Sequence, residues 1–293
     1  MRSLHACPAP AKLNLFLHVV GRRADGYHLL QSVFQLIGRG DTLDFDLRDD
    51  GRIVRTNDVP GVPAASDLVV RALERLAGAF RQRHGRAAPG LDVAVDKILP
   101  LGGGLGGGSS DAATALMAAN YLWRAGFSDE ELMDIGLPLG ADIPFFIFGR
   151  TAFVEGVGEA MQPVAGPDCW YVVIEPGVSV PTPAIFTAED LTRDTKPVRI
   201  ADFPEAHLLS EFGKNDLQAV ASRLFPPVAE AIEWLGQYGA ARMTGSGACV
   251  FCAVPGEAQA DRVLGQVPLA WRAWKARSLA RHPLKSLLQN NEL

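Results

Sequence analysis

Six of the seven positions from 102 to 108 are glycine, within the stretch PLGGGLGGGSSDAA (100–113). A glycine-rich turn that opens a helix lets backbone N–H groups converge on an anion, and the helix N-terminus adds positive potential. The dipole contributes only about 0.3–1 kcal/mol per nearby charge, so the convergent hydrogen bonds must supply the rest. The stretch therefore predicts a phosphate loop built from Pro100, Leu101, Gly102, Gly103, Gly104, Leu105, Gly106, Gly107 and Gly108, with Ser109 and Ser110 adding hydroxyls. It is not a P-loop, because serine rather than lysine follows Gly108. Gly102, Gly104 and Gly107 match a dinucleotide fingerprint in spacing. The strand leading into them is at least the fourth in the chain, however, and no clean strand ending in a ribose-binding acid follows. The hydrolase elbow G-x-S-x-G occurs nowhere. A tight strand–helix turn would account for two of these glycines but not for six.

The segment AKLNLFLHVV (11–20) alternates, with Leu13, Leu15, Leu17 and Val19 on one face and Lys12, Asn14, Phe16 and His18 on the other. Lys12 and Asn14 thus lie side by side among apolar neighbours. Asp142 precedes a helix whose early turn holds Pro144, a position suited to a cap. Cys249 and Cys252 have redox spacing, but GACVFCAV reads as a buried strand. Residues three apart on a strand face opposite ways, and no second pair completes a zinc site.

These residues need elements to hold them. Further strands are expected around 28–37, at DTLDFDLR and at RIVRT, then LDVAVDKIL leading into the glycine loop. LVVRALERLAGAFRQRHG is an amphipathic helix capped by Ser66-Asp67, DAATALMAANYLW has helical spacing, and a short helix starts near Asp129. Beyond about 151, strands RTAFVEGVGEAM and WYVVIEPGVSV precede helices at 215–224 and 228–238, then the turn ARMTGSGACVFCAV, a helix and a strand near 271–279. Strands segregate from helices more than they alternate, which favours α+β over a parallel α/β sheet.

A chain of 293 residues has length for one large or two ordinary domains. With 48% hydrophobic and 21% charged residues it reads as globular, and a net charge of −5 without a basic run argues against nucleic acid or an anionic membrane as partner. No apolar stretch reaches membrane-spanning length and no signal-peptide pattern opens the chain, so a cytoplasmic protein is expected. Four cysteines make no disulfide framework.

Three segments together, PAPAKLNLFLHVVGRRADGYH, PLGGGLGGGSSDAA and ARMTGSGACVF, resemble the GHMP kinase superfamily, small-molecule kinases whose phosphate loop lacks the P-loop lysine. DGYH and GADIPFF make the resemblance specific to a branch acting on a cytidyl-linked alcohol. It implies a two-domain α+β fold, with a ribosomal-S5-like ATP domain over 1–155 and a ferredoxin-like domain over 156–293. It also implies ATP as phosphoryl donor, Mg2+ carried on its phosphates, a small-molecule acceptor, and a monomer or weak homodimer. Asp142 matches the family's catalytic aspartate, acting as base or positioning the hydroxyl, and Lys12 the catalytic lysine. Asn14 matches a position near the substrate. Tyr27 matches the residue stacking on the cytosine ring, His28 the one bonding its polar edge, Phe186 the aromatic opposite, and Thr182 a nearby contact. Gly245 and Ser246, in TGSG, match a turn near phosphates and substrate, and Lys97 a lysine meeting ATP phosphate; on its own Lys97 reads equally as a solvated strand end. KNDL (214–217) resembles a family segment but reads first as a helix cap. Asp67 stands where many relatives have asparagine near adenine and ribose, and an ionised aspartate only accepts. Two alternatives stay open: another GHMP kinase for homoserine or a mevalonate-like alcohol, and a catalytically silent nucleotide-binding protein on this fold.

Overall fold

The computed structural model of the chain describes residues 2–290. Two long antiparallel strands form its spine, β1 (Ser3–Arg22) and β2 (His28–Arg48). The two strands expected around 28–37 and at DTLDFDLR are one, because Gly38 and Gly40 do not break it. A Cβ at Gly40 would lie 2.2 Å from the Ala9 carbonyl oxygen, so glycine there permits close passage of β1. Bulges interrupt β1, one of them between Asn14 and Leu17, and both of its faces are buried through this stretch.

After β3 (Ile53–Arg55), helix α1 (Leu68–His84) begins with the Asp67 carboxylate accepting from the Val69 N–H. It ends at a left-handed Gly85, with Arg81, Arg83 and His84 at its negative end, and buries Val69, Ala72, Leu73, Leu76 and Phe80. Strand β4 (Gly90–Asp96) pairs with β2 and β3 and leads into the glycine loop. Helix α2 (Gly107–Leu122) follows, buried on almost every side because its alanines allow close packing. Helix α3 (Asp129–Gly136) starts from a Ser128–Glu131 capping box, α4 (Ile143–Phe148) follows, and β5 (Ala152–Gly156) and β6 (Ala160–Pro163) make a hairpin against β2.

The second sheet is formed by β7 (Trp170–Glu175) and strands that arrive later in the chain. Between them come α5 (Thr182–Phe186), α6 (Asp216–Leu224) and α7 (Pro226–Leu235). Then β8 (Arg242–Met243) and β9 (Val250–Val254) form a hairpin, α8 (Glu257–Leu264) crosses, and β10 (Arg272–Leu279) pairs with β7. The end of β10 also pairs with β2, Ser278 with Ile37 and Leu279 with Leu36, which joins the two sheets. Helix α9 (Pro283–Asn290) then returns to pack on β1 and α2. One core lies between the first sheet and α1, α2 and α4, and a second between the other sheet and α6, α7 and α8. A third, around Leu13, Leu15, Phe16 and Phe251, fills the space where they meet. Mixed sheet and helix in this arrangement agree with the α+β expectation.

Candidate functional site

A cavity of about 880 Å3 opens where β1, the glycine loop, α4's entry, α5 and the 244–247 turn converge. It is lined by Lys12, Asn14, Tyr27, His28, Gly102, Gly104, Gly106, Ser109, Asp142, Thr182, Phe186, Gly245 and Ser246, and also by Arg22 and Phe34. A second hollow of about 750 Å3, beside Asn120, Phe127 and Lys285, holds none of these groups.

Both sides of the glycine loop are shaped. Gly102, Gly104 and Gly106 have φ of +69°, +75° and +73°, a region glycine enters without steric cost. A Cβ at Gly104 would come within 2.1 Å of the Thr244 carbonyl oxygen, one at Gly103 within 2.9 Å of Cys249 Sγ, and one at Gly106 within 2.8 Å of the Phe146 ring. Part of the glycine density thus lets the 244–249 turn and β1 approach the loop, held by the Lys12 N–H to Leu105 O (3.0 Å) and the Cys249 N–H to Gly103 O (3.2 Å). The opposite side faces the cavity and leads into the first turn of α2, where unpaired N–H groups gather.

The two serines diverge. Ser109 lines the cavity, and its hydroxyl makes no hydrogen bond to another described residue. Ser110 is buried and donates to the Pro10 carbonyl at 2.7 Å. Its hydroxyl anchors the helix to β1, which corrects the expectation that it faces the loop's hollow.

Lys97 is not a solvated strand end. Its ammonium sits between the carboxylates of Asp41 (2.5 Å) and Asp111 (2.6 Å), and Asp41 also accepts from the Ile98 and Leu99 N–H groups. Burial pushes the Asp111 carboxyl up to about 7. This cluster braces the loop from beneath: a Cβ at Gly107 would lie 3.1 Å from the Lys97 ammonium. Asp67 is similarly committed, receiving Val69 N–H at 2.8 Å and Arg55 Nη1 at 2.7 Å.

The alternating face of β1 aims Lys12 and Asn14 together. Lys12, 4% exposed, donates to Asn14 Oδ1 at 2.5 Å and stands 3.6 Å from Asp142 Oδ2. Asn14 Nδ2 donates to Ser32 Oγ (3.0 Å), whose hydroxyl donates in turn to the Phe16 carbonyl. This relay fixes which end of the Asn14 amide faces the ammonium. Asp142 holds the residue position before α4 but makes no capping hydrogen bond, and its backbone is helical. Its carboxylate therefore faces Lys12 and the cavity, not the helix end.

Across the cavity, Thr182 Oγ1 and Ser246 Oγ lie 2.7 Å apart. The His28 and Phe186 rings stand 4.9 Å apart at 33°, with Tyr27 largely exposed at the rim. Burial, then Arg193 and Arg22, push the His28 imidazole below its ordinary range. Asn215 caps α6 through the Leu217 N–H and donates to Met243 O and Gly245 O, each at 2.8 Å, so KNDL is both a cap and a tether for the glycine turn. Cys249 and Cys252 are free thiols, and burial pushes Cys252 up to about 11, so both behave as core residues. Sequence reasoning missed Ser32 and Arg193, whose partners are distant in the chain.

Comparison with known proteins supplies a family for this geometry. Residues 67–150 match the model of the GHMP kinases N terminal domain and residues 203–273 that of the GHMP kinases C terminal. A protein of Janthinobacterium sp. (strain Marseille) named 4-diphosphocytidyl-2-C-methyl-D-erythritol kinase is 65% identical over 288 residues, covering 98% of this chain and 99% of its own. One of the same name from Herminiimonas arsenicoxydans is 62% identical over 287 residues, with 98% and 99% covered. A crystal structure of 4-(cytidine 5'-diphospho)-2C-methyl-D-erythritol kinase superposes with a TM-score of 0.74 at 33% identity, over 92% of this chain and 98% of that one. A homoserine kinase from Cytophaga hutchinsonii, at 15% identity, TM-score 0.71 and 96% of each chain, shares the fold.

Proposed function

The chain belongs to the GHMP kinases, and on that premise we propose that it transfers the γ-phosphoryl group of ATP to the 2-hydroxyl of 4-diphosphocytidyl-2-C-methyl-D-erythritol. It is a small-molecule kinase with ATP as donor, serving the non-mevalonate route to isoprenoid precursors. The observation that carries the acceptor assignment is the meeting of three features in one cavity. These are a glycine loop at a helix N-terminus, a Lys12–Asp142 pair 3.6 Å apart, and the His28–Phe186 rings 4.9 Å apart.

In this reading the loop's N–H groups and the Ser109 hydroxyl receive the donor phosphates. Mg2+, bound largely by ATP phosphate oxygens, would neutralise the charge developing there; the unbonded Ser109 hydroxyl, an oxygen donor in the cavity, suits such a hard cation. Asp142 accepts the hydrogen bond of the acceptor hydroxyl, orienting it and taking its proton as the phosphoryl group arrives. Lys12, itself buried, faces both that carboxylate and the transferring group with its positive charge. Asn14, locked by Ser32, holds Lys12 in line. His28, Phe186 and Tyr27 clamp the cytosine, where base–aromatic stacking contributes about 1–3 kcal/mol per base. Thr182, Gly245 and Ser246 border the acceptor's middle. Lys97 supports the loop from beneath, and Asp67 orders the start of α1 beside the donor's nucleoside end. We assign residues 1–155 to the ATP-binding N-terminal domain and 156–293 to the C-terminal domain. No helix among the described residues is long and apolar enough to cross a membrane.

The test is turnover with Mg-ATP and the cytidyl acceptor, homoserine or mevalonate in parallel, followed by ADP release. Turnover confined to the cytidyl compound supports the proposal. Turnover of another alcohol alone points to a different GHMP kinase, and nucleotide binding without any turnover to a silent relative.

A further inference from the structure

Arg193 lies in the coil after α5, partly buried, and its guanidinium is almost fully committed. Nη2 donates to the carbonyls of Phe186 (3.1 Å) and Ala188 (2.8 Å), Nη1 to that of Leu191 (3.1 Å), and Nε to His28 Nε2 (3.1 Å). A guanidinium carries donors only and keeps its proton. His28 Nε2 must therefore offer a lone pair, and the proton of the neutral ring resides on Nδ1. An imidazolium would oppose N–H to N–H and place a second cation beside Arg193 and Arg22, in line with the downward push that burial and both arginines exert on this ring. The same guanidinium holds the carbonyl of Phe186, whose ring faces His28.

We propose that Arg193 is the positioning residue of the acceptor's base site: it holds His28 as the Nδ1–H tautomer and ties the His28 and Phe186 rings into one unit. This rests on the cytidyl-acceptor reading above. A fixed Nδ1–H donor suits the ring carbonyl or the unprotonated N3 of cytosine, whereas uracil carries hydrogen at N3 and cannot accept there. The wrong tautomer would face the base with a lone pair and leave the Arg193 Nε–H unpaired, a loss on both sides of the ring.

The experiment is a long-range proton–nitrogen NMR spectrum of the 15N-labelled enzyme without substrate, with the His28 signals identified by their loss in His28→Gln. The proposal predicts a protonated Nδ1 and a bare Nε2 at neutral pH in the wild type, and a mixture of tautomers in Arg193→Met and Arg193→Lys. Lysine does not rescue, because it lacks the planar fork. The kinetic partner is a KM for the cytidyl acceptor raised about tenfold, with kcat and the KM for ATP within about twofold. A wild-type ring protonated at Nε2, or an unchanged acceptor KM in a folded Arg193→Met, overturns the proposal. If the variants fail to fold, the wild-type spectrum still decides the tautomer. If the acceptor reading is what fails, the wild type shows no turnover of the cytidyl compound while the substrate-free spectrum keeps its Nδ1–H.

Discussion

Replacing Lys12 with methionine removes a charge while nearly keeping the side-chain volume. At 3.6 Å from Asp142, a unit charge pair in surroundings of effective dielectric about 20 interacts by about 4–5 kcal/mol. The Asp142 side chain is 31% exposed, and solvent screening reduces that to roughly half. In the proposed mechanism the same ammonium stabilises the transferring phosphoryl, where a single preorganised donor contributes about 2.7–4 kcal/mol. One charge serves both roles, so the two figures do not add. The net barrier increase is about 3–4 kcal/mol, a loss in kcat of roughly a hundred- to a thousandfold. Binding should change little, since neither the loop amides nor the ring pair is touched. Folding should survive as well, because Asn14 Oδ1 still receives the Thr244 hydroxyl at 3.3 Å. The assay is steady-state ADP release with ATP affinity measured separately by calorimetry. A folded Lys12→Met enzyme whose kcat stays within about tenfold of wild type would refute the role derived for the pair.

Two further outcomes follow from the packing. Gly104→Ala should destabilise by about 2–4 kcal/mol, combining a left-handed backbone with a Cβ 2.1 Å from the Thr244 carbonyl oxygen. Gly85→Ala is the control: at φ +66° with nothing within 4 Å it should cost only about 1–2 kcal/mol, and equal losses in calorimetry would show that the turn contact contributes nothing. His282 is fully buried, with its imidazole pushed down to about 3 from an ordinary 6.5, chiefly by burial. A depressed folded pKa means the unfolded chain takes up the proton first, so stability is complete above pH 6.5 and falls by up to about 1.4 kcal/mol per pH unit towards pH 3. His282→Asn, which keeps an acceptor for the Leu284 N–H, should flatten that slope in urea titrations; an unchanged slope would assign it to other groups.

How much of this was legible in the sequence depends on how far each partner lies along the chain. The glycine loop was readable because six glycines are more than a tight strand–helix turn needs; that three of them lie in the left-handed region came only from the structure. Lys12 and Asn14 were readable as neighbours because a strand repeats every two residues, although the bulge before Leu17 breaks that repeat just beyond them. The second purpose of the loop was not readable, since the turn that packs against Gly104 arrives some 140 residues later. Ser110 looked like a phosphate ligand because nothing nearby discloses its bond to Pro10, 100 residues upstream. Lys97 read equally as a phosphate contact and as a solvated strand end, because Asp41 and Asp111, which close over it, lie 56 and 14 residues away. Arg193 carried no local signal, for its significance lies in His28, 165 residues away. The merging of two expected strands into β2 has the same origin, a close approach by Ala9 that makes Gly40 a fit rather than a break.

In the proposed mechanism one carboxylate serves the chemistry at the acceptor hydroxyl while the loop independently holds ATP. Asp142→Asn separates these two roles, because it is nearly isosteric, removes no capping bond and leaves the loop untouched. Single-turnover phosphoryl transfer to the cytidyl acceptor should slow by about a hundred- to ten-thousandfold, with ATP affinity within a few-fold of wild type. Transfer at near-normal speed, or loss of ATP affinity in proportion to rate, would rule out that division of roles between Asp142 and the loop.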